Sequence, residues 1–204
     1  LNPSSFSPEA DFFTEFERFD RHVEMLRRKL DAKRPPLDFV SICSPNYLHD
    51  AHVRFALRVG ANVICEKPLV LNPWNLDALE ALSHETGRQI FGILQLRLHP
   101  AIVALQQQVS GAVLSHKHDV DLTYITPRGH WYQHSWKGDV AKSGGLATNI
   151  GIHFFDMLSW CFGKPVSNLV HVSGPRKASG FLELENARVR WYLSIDASDL
   201  PASP

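Results

Sequence analysis

An alternation of short apolar runs and helical segments, separated by proline and glycine, is the sequence feature that most restricts the fold. In the first half of the chain, the apolar runs Asp38–Cys43, Asn62–Cys65 and Gln89–Leu96 are predicted as strands. Helices are predicted between them, at His49–Val59 and at Trp74–Thr86, each followed by a glycine. This order of strand, helix, strand, helix and strand predicts a parallel sheet with crossover helices.

Two further elements are predicted ahead of this sheet. The aromatic-rich segment Asp11–Phe16 is predicted as a short strand, and Glu17–Lys33 as a helix. The helix should end at Arg34-Pro35-Pro36, because proline lacks the backbone N–H and disfavours helix in the residue before it.

The hydrophobic period changes in the second half of the chain. Apolar and polar residues alternate over 119–124 and again over 188–195, which predicts strands of an antiparallel sheet with one solvent-facing side. Thr148–Phe162 is predicted as a helix between them. The fold class is therefore α/β: a partial doubly wound parallel sheet over residues 1–112, followed by an α+β domain with an antiparallel sheet over residues 113–204.

Composition excludes several classes of protein. The 204 residues are 44% hydrophobic and 21% charged, a globular balance that argues against disorder. The 21 basic residues equal the 21 acidic ones, so no net charge favours nucleic acid or a membrane surface as partner. No apolar run is long enough for a membrane span. The three cysteines have no metal-ligand spacing and fit a reducing cytoplasm.

Polar residues follow each of the three parallel strands. These are Ser44-Pro45-Asn46 with His49 after the first strand, Glu66-Lys67 after the second and Gln95 after the third. Ligands of open parallel sheets bind beyond the carboxyl ends of the strands, so these residues form a candidate site. Lys67, fixed by the proline behind it, can stabilise a developing alkoxide. The alternative is a surface lysine paired with Glu66.

A second candidate cluster lies on the predicted helix 148–162. Asn149, His153 and Asp156 are spaced i, i+4 and i+7, which places them on one helical face after the glycine pair Gly144-Gly145. His153 titrates near working pH and can accept a proton. The alternatives are a core histidine bonded to a carbonyl and a metal ligand. No third ligand has a matching spacing, so we predict no metal site.

These motifs together resemble a known family. Ser44-Pro45-Asn46 with His49, then Glu66-Lys67-Pro68, and Gly144-Gly145 leading to Gly151-x-His153-x-x-Asp156 resemble the Gfo/Idh/MocA family of NAD(P)-dependent oxidoreductases. The resemblance implies a Rossmann-like first domain and NAD as the cofactor. It places the family's glycine-rich turn and its ribose-binding acid upstream of Leu1, so NADP stays open as the alternative.

Further segments resemble one branch of the family. This branch oxidises the 3-hydroxyl of UDP-N-acetylglucosaminuronate to the 3-keto sugar, a step towards lipopolysaccharide sugars. The resemblance implies a small nucleotide-sugar substrate, a homo-oligomer and a cytoplasmic location. The segments that carry it are Asp38–His49, Val63–Val70, Asp121–Thr126, Ala147–Gly151 and Ala187–Trp191.

The resemblance also implies residue roles. Lys67 would bond the reacting hydroxyl and His153 would be the general base, with Asn149 beside them at the substrate. Many family members have aspartate at the position of Asn149, and Asp156 would support the helix. The residues implied to contact the cofactor are Ser44, Pro45, Asn46, His49, Glu66, Lys67, Gln95, Trp136 and Lys137.

Two alternatives to a dehydrogenase stay open at this stage. One is a protein of the same fold that binds a dinucleotide or a sugar without turnover, since a fold does not by itself imply a function. The other follows from the start of the chain at Leu1, its first methionine at Met25 and the lack of a G-x-G-x-x-G motif. These features predict a piece of a longer enzyme that is inactive alone.

Overall fold

Two sheets organise the chain. The computed structural model describes residues 10–30, 35–111 and 116–201. A three-stranded sheet has the order β1-β2-β3, and a four-stranded sheet has the order β4-β7-β6-β5. Each sheet has its own hydrophobic core.

The first sheet is parallel throughout, as the sequence predicts. Its strands are β1 (Phe39–Ile42), β2 (Asn62–Cys65) and β3 (Ile90–Gly92). Helices α2 (His49–Arg58) and α3 (Trp74–Thr86) connect them. Helix α2 packs against β1 and β2, and α3 packs against α2, so apolar side chains of both helices join one core with the sheet. The resulting core contains Ile42, Val53, Ala56, Leu57, Ala61, Val63, Cys65 and Leu79.

The strand predicted at Asp11–Phe16 is wrong. Among the described residues of this segment none is in a strand, and helix α1 begins at Phe16 and ends at Lys29. The aromatic side chains pack against α2 instead: the Phe16 ring stacks on His52 at a centroid distance of 4.6 Å and meets Phe55 edge-on at 5.1 Å. The remainder of the helix predicted to reach Lys33 lies outside the described residues, apart from Leu30.

The third predicted strand is shorter than the apolar run that suggested it. After Gly92 the chain forms a 3₁₀-helix, Gln95–Leu98, and then helix α4, Pro100–Ser110, which the sequence did not predict. Proline stands in the first turn of α4, where its missing N–H costs nothing. Val109 of α4 belongs to the second core. The predicted domain boundary at residue 112 lies just after α4, although α4 already contributes a residue to the second core. This boundary stays a prediction.

The second sheet is mixed rather than wholly antiparallel. Its strands are β4 (His118–Ile125), β5 (Pro165–Ser173), β6 (Lys177–Leu184) and β7 (Ala187–Ser194). Strands β5, β6 and β7 are antiparallel to their neighbours, whereas the two strands that the sequence predicts, β4 and β7, are parallel to each other. Two short hairpin connections join β5 to β6 and β6 to β7, and the long excursion after β4 lets β7 run in the same direction as β4.

Helical segments fill that excursion between β4 and β5. They are α5 (His130–His134), α6 (Val140–Ser143), a π-helical turn (Ala147–Gly151) and α7 (Ile152–Phe162). The predicted helix over 148–162 is confirmed, except that its first turn is the wider π form. The described residues include no helix with the length and apolar character needed to cross a membrane.

Gly180 provides a test of the packing between β6 and its neighbours. A Cβ at this position would lie 2.6 Å from the Trp191 ring and would also contact the main-chain oxygen of Leu169. We expect Gly180→Ala to destabilise the protein by about 1–3 kcal/mol, because overpacking forces the neighbours to move. Thermal and urea unfolding measure this change.

The matched control is Gly92→Ala at the end of β3, where an added Cβ has no atom within 4 Å. A Gly180→Ala variant as stable as Gly92→Ala would contradict the packing described for β6.

Candidate active site

The polar ends of the parallel strands meet the helical segments of the second half of the chain. The loop after β1 contacts α6, and the 3₁₀-helix after β3 contacts α7. Two adjoining cavities lie at this junction. Both are lined by Lys67, Arg128, Asn149 and Ile150, so a ligand in one would border a ligand in the other.

The first cavity has a volume of about 280 Å³. It brings together most of the residues predicted to contact the cofactor, from the loops after β1 and β2 and from the segment around α5. Its lining residues are Cys43, Ser44, Asn46, His49, Glu66, Lys67, Arg128, Trp131, Tyr132, Trp136, Lys137, Asn149 and Ile150.

The second cavity, of about 380 Å³, contains the predicted catalytic pair. Lys67 enters it from the end of β2 and His153 from the first turn of α7, so residues 86 positions apart in the chain, 153 minus 67, share one cavity. Gln95 lies here rather than in the first cavity. The lining residues are Lys67, Gln95, Leu96, Tyr124, Arg128, Asn149, Ile150, His153 and Phe154.

Lys67 is held by the second half of the chain. Its Nζ donates a hydrogen bond of 2.5 Å to the main-chain oxygen of Asn149. Burial lowers the pKa of the Lys67 ammonium, and the positive charges of Lys137 and Arg128 lower it further, whereas Glu66 acts in the opposite direction. The ammonium is thus a partly desolvated hydrogen-bond donor with a fixed position.

His153 has a ring that the protein leaves available. Burial lowers its pKa, and the nearby Lys67 charge adds to this effect. Nδ1 is buried without a hydrogen-bond partner, and no hydrogen bond from the described residues reaches Nε2. Nε2 is therefore the nitrogen that can meet a ligand, and the ring is mainly neutral at pH 7 because its pKa is below the usual value of about 6.5.

A buried chain of amide and hydroxyl groups joins the loop after β1 to the π-helical turn. Asn46 Nδ2 donates to the main-chain oxygen of Ser143 at 2.9 Å and to Asn149 Oδ1 at 3.1 Å. Asn149 Nδ2 in turn donates to the Tyr132 hydroxyl at 3.2 Å. The oxygen and the nitrogen of the Asn149 side-chain amide are thus both hydrogen-bonded within the protein. The contact between Asn149 and the substrate stays a prediction.

His49 and Pro45, both predicted to contact the cofactor, follow β1 in the chain. His49 is fully buried, and its two ring nitrogens lie 2.7 Å from the Pro68 oxygen and 2.8 Å from the Ser44 oxygen. The ring ties the loops after β1 and β2 together and has no free polar atom for a ligand. Pro45 precedes the 3₁₀-helix Asn46–Leu48 and does not line either cavity.

Asp156 supports the helix, as the sequence suggested. It binds the guanidinium of Arg97 through two contacts, one of them 2.7 Å long, and so anchors α7 to the 3₁₀-helix after β3. Arg97 also lies 5.9 Å from the centre of the Trp160 ring. Within the described part of the chain, no three His, Cys, Asp or Glu side chains are grouped closely enough to hold a metal ion.

Arg128 and Tyr132 are site residues that the sequence analysis missed. Neither residue belongs to the motifs that carry the family resemblance. The position of Arg128 could have indicated it, because Arg128 follows the end of β4 just as Lys67 follows the end of β2. The sequence alone does not show that the end of β4 faces the edge of the parallel sheet.

The fold and the family models place the chain in a family of oxidoreductases with a Rossmann fold. The model of the oxidoreductase family's NAD-binding Rossmann fold matches residues 7–93, and that of the family's C-terminal alpha/beta domain matches residues 105–199. The chain belongs to the Gfo/Idh/MocA family. This confirms the resemblance seen in the sequence motifs.

Solved structures of dehydrogenases are similar to this chain. The WlbA (WbpB) dehydrogenase from Thermus thermophilus, solved with NAD and α-ketoglutarate, is 52% identical with a TM-score of 0.90. The match covers 97% of this chain and 62% of that one. The same dehydrogenase solved with NAD and UDP-GlcNAcA gives 52% identity and a TM-score of 0.89.

A curated relative is the D-glucoside 3-dehydrogenase of Escherichia coli strain K12. It is 26% identical over 140 residues, which cover 69% of this chain and 40% of that protein. The chain spans 38% to 45% of the length of eight curated relatives that it matches.

The Arg97–Asp156 pair generates a test of how α7 is anchored. We expect Arg97→Met to lower the free energy of unfolding by about 1–2 kcal/mol, because the carboxylate of Asp156, only 11% exposed, loses its charged donor. Urea unfolding followed by circular dichroism gives this value.

Arg190→Met is the matched control, because Arg190 also binds an aspartate through two contacts, but both side chains are exposed. Its effect should be smaller, since exposed ion pairs contribute little. A loss in Arg97→Met no larger than that in Arg190→Met would contradict the anchoring role of the Arg97–Asp156 pair.

Proposed function

We propose that the protein carrying this chain is an NAD-dependent dehydrogenase that oxidises the 3-hydroxyl of a UDP-linked N-acetylglucosaminuronate to a ketone. The observation that carries the proposal is the shared cavity of Lys67 and His153, which adjoins the cavity lined by the residues expected to contact NAD. The 52% identity to a dehydrogenase solved with NAD and UDP-GlcNAcA supports the substrate class.

The residues of the first cavity fit the nicotinamide half of NAD. The Glu66 carboxylate can accept hydrogen bonds from ribose hydroxyls, and the ring of Trp131 or Trp136 offers an aromatic face. The Lys67 and Lys137 ammonium groups add positive charge beside these acceptors. NAD, when bound, supplies the hydride acceptor of the reaction.

His153 is the proposed general base. Its Nε2 accepts the proton of the substrate hydroxyl, which requires the neutral ring to carry its own proton on Nδ1. The lowered pKa of His153 keeps Nε2 unprotonated at neutral pH. The base therefore starts each turnover in the form that can accept a proton.

Lys67 is the proposed stabiliser of the transition state. Its ammonium donates a hydrogen bond to the substrate oxygen as negative charge develops there. The bond to the Asn149 oxygen uses one of its three N–H groups and leaves two for ligands. Because the group is already positioned and partly desolvated, little reorganisation accompanies the reaction.

The remaining roles and the setting belong to the same proposal. Ser44, Asn46, Glu66, Trp136 and Lys137 contact the cofactor. Gln95 lies near the boundary between cofactor and substrate.

The substrate is a small nucleotide sugar on the route to lipopolysaccharide, and the enzyme is a cytoplasmic homo-oligomer. A binding protein of the same fold is the competing function, and formation of NADH decides between the two.

Substitution of the two central residues tests the mechanism. In the protein that carries this chain, we expect His153→Asn and Lys67→Ala each to lower kcat by about 10²–10⁴-fold, because each removes a group that acts in the transition state. Absorbance at 340 nm with NAD and UDP-GlcNAcA follows the reaction.

His171→Asn on β5 and Lys164→Ala after α7 are matched controls, because both side chains are exposed and neither lines the two cavities. Undiminished kcat in His153→Asn and Lys67→Ala would remove the assigned roles, and no NADH from the wild-type protein would favour the binding protein.

The proximity of the two groups predicts a pH effect. The Lys67 charge lowers the pKa of His153, so Lys67→Met should raise that pKa, although burial continues to hold it down. The fraction of neutral imidazole at pH 6 should therefore decrease in the variant. An NMR titration of the His153 ring measures the shift, with Lys164→Met as control. An unchanged titration midpoint would show that the two groups do not interact.

A further inference from the structure

Arg128 is a charged residue of the site that neither the family motifs nor the proposed mechanism uses. It stands three residues beyond the end of β4 and lines both cavities. Its main-chain N–H donates to the Ile195 oxygen at 3.2 Å, which fixes the backbone to the segment after β7. The guanidinium is therefore presented from an anchored position.

The surroundings of Arg128 carry an excess of positive charge. Lys67, Arg128 and Lys137 line the first cavity together, and the carboxylate of Glu66 is the anion among its lining residues. These three cations, of which Lys67 is partly buried and Arg128 is exposed, outnumber the one carboxylate and repel one another. An anionic ligand would relieve this repulsion.

The three cations differ in what already binds them. Lys67 donates to the Asn149 oxygen, and the Lys137 ammonium lies 5.5 Å from the centre of the Trp131 ring and 5.6 Å from that of Trp136. The side chain of Arg128 has neither an ion pair nor a hydrogen bond with any residue that the structure describes. Arg128 is thus the cation available for an external anion.

We propose that Arg128 binds the carboxylate of the acidic sugar and makes the site selective for a uronate over the corresponding neutral sugar. This inference rests on the proposed function. A guanidinium presents paired N–H groups that match the two oxygens of a carboxylate. Arg128 lines the same cavity as Lys67 and His153, so one sugar ring can offer its carboxylate to the first and its reacting hydroxyl to the other two.

Arg128 could instead bind a diphosphate, either that of the nucleotide sugar or that of NAD. Two ligands separate the sources. UDP-GlcNAcA carries the carboxylate, and UDP-N-acetylglucosamine has the same diphosphate with a hydroxymethyl group in place of the carboxylate. Isothermal titration calorimetry gives the dissociation constants of both, and of NAD, without depending on turnover.

For Arg128→Gln we expect the dissociation constant of UDP-GlcNAcA to increase by about 10- to 50-fold. Those of UDP-N-acetylglucosamine and NAD should stay within about twofold, because neither ligand offers a carboxylate to the guanidinium. Arg128→Lys should give a smaller loss for the acidic sugar, since it keeps the charge but not the paired donors. Arg21→Gln, at an exposed position of α1, is the matched control and should leave all three values unchanged.

Three results would overturn the assignment. Equal weakening of both nucleotide sugars would assign the anion to the UDP diphosphate. Weakening of NAD alone would assign it to the cofactor. A wild-type protein that binds the two nucleotide sugars equally would show no selectivity to explain. Failure of the proposed function is a separate result: the binding pattern would persist while no NADH forms.

Discussion

The site depends on hydrogen bonds that cross from one half of the chain to the other at the π-helical turn. Lys67 reaches the Asn149 main-chain oxygen, and Asn46 reaches both Asn149 and Ser143. Asn46, Asn149 and Ser143 are buried, so water cannot replace these bonds without cost. They set how the edge of the parallel sheet faces α7, and hence whether Lys67 and His153 line the same cavity.

Burial and charge at this junction keep His153 mainly neutral, and an ion pair outside the cavity holds α7 in place. The site holds a cation near an imidazole, and burial together with the Lys67 charge disfavours a positive charge on His153. That arrangement suits chemistry in which one group accepts a proton while the other stays charged. The Arg97–Asp156 pair lies one turn further along α7 and holds the helix without adding a net charge to the cavity.

Local patterns predicted the first half of the chain well and the second half less well. Strands β1 and β2 and helices α2 and α3 were placed within a few residues, because glycine and proline mark their ends and the apolar runs are continuous. Strand β5 was missed because it is exposed along its whole length and has no alternation to read. In β6 apolar and polar residues alternate only over its last residues, because its first two buried positions are the small residues Ala178 and Gly180.

Lys67 and His153 could be predicted as residues of the candidate site, because each stands in a short sequence motif. The site was not predictable where a role arises from distant contacts. The engagement of Asn149 by Asn46 and Tyr132 and the position of Arg128 both depend on how two sheets meet. The parallel pairing of β4 with β7, which brings the end of β4 to this junction, is likewise a property of the whole topology.

The π-helical turn at Ala147–Gly151 has a consequence for how relatives of this chain can diverge. Such a turn accommodates one residue more than an α-helical path of the same length. Loss of a single residue there would rotate the preceding positions by about 100° around the helix axis. The carbonyl that now meets Lys67 would then point elsewhere, while the cores on either side stayed packed. A one-residue deletion is thus a short evolutionary route from this arrangement of Lys67 and the π-helical turn to a member of the same fold that lacks it.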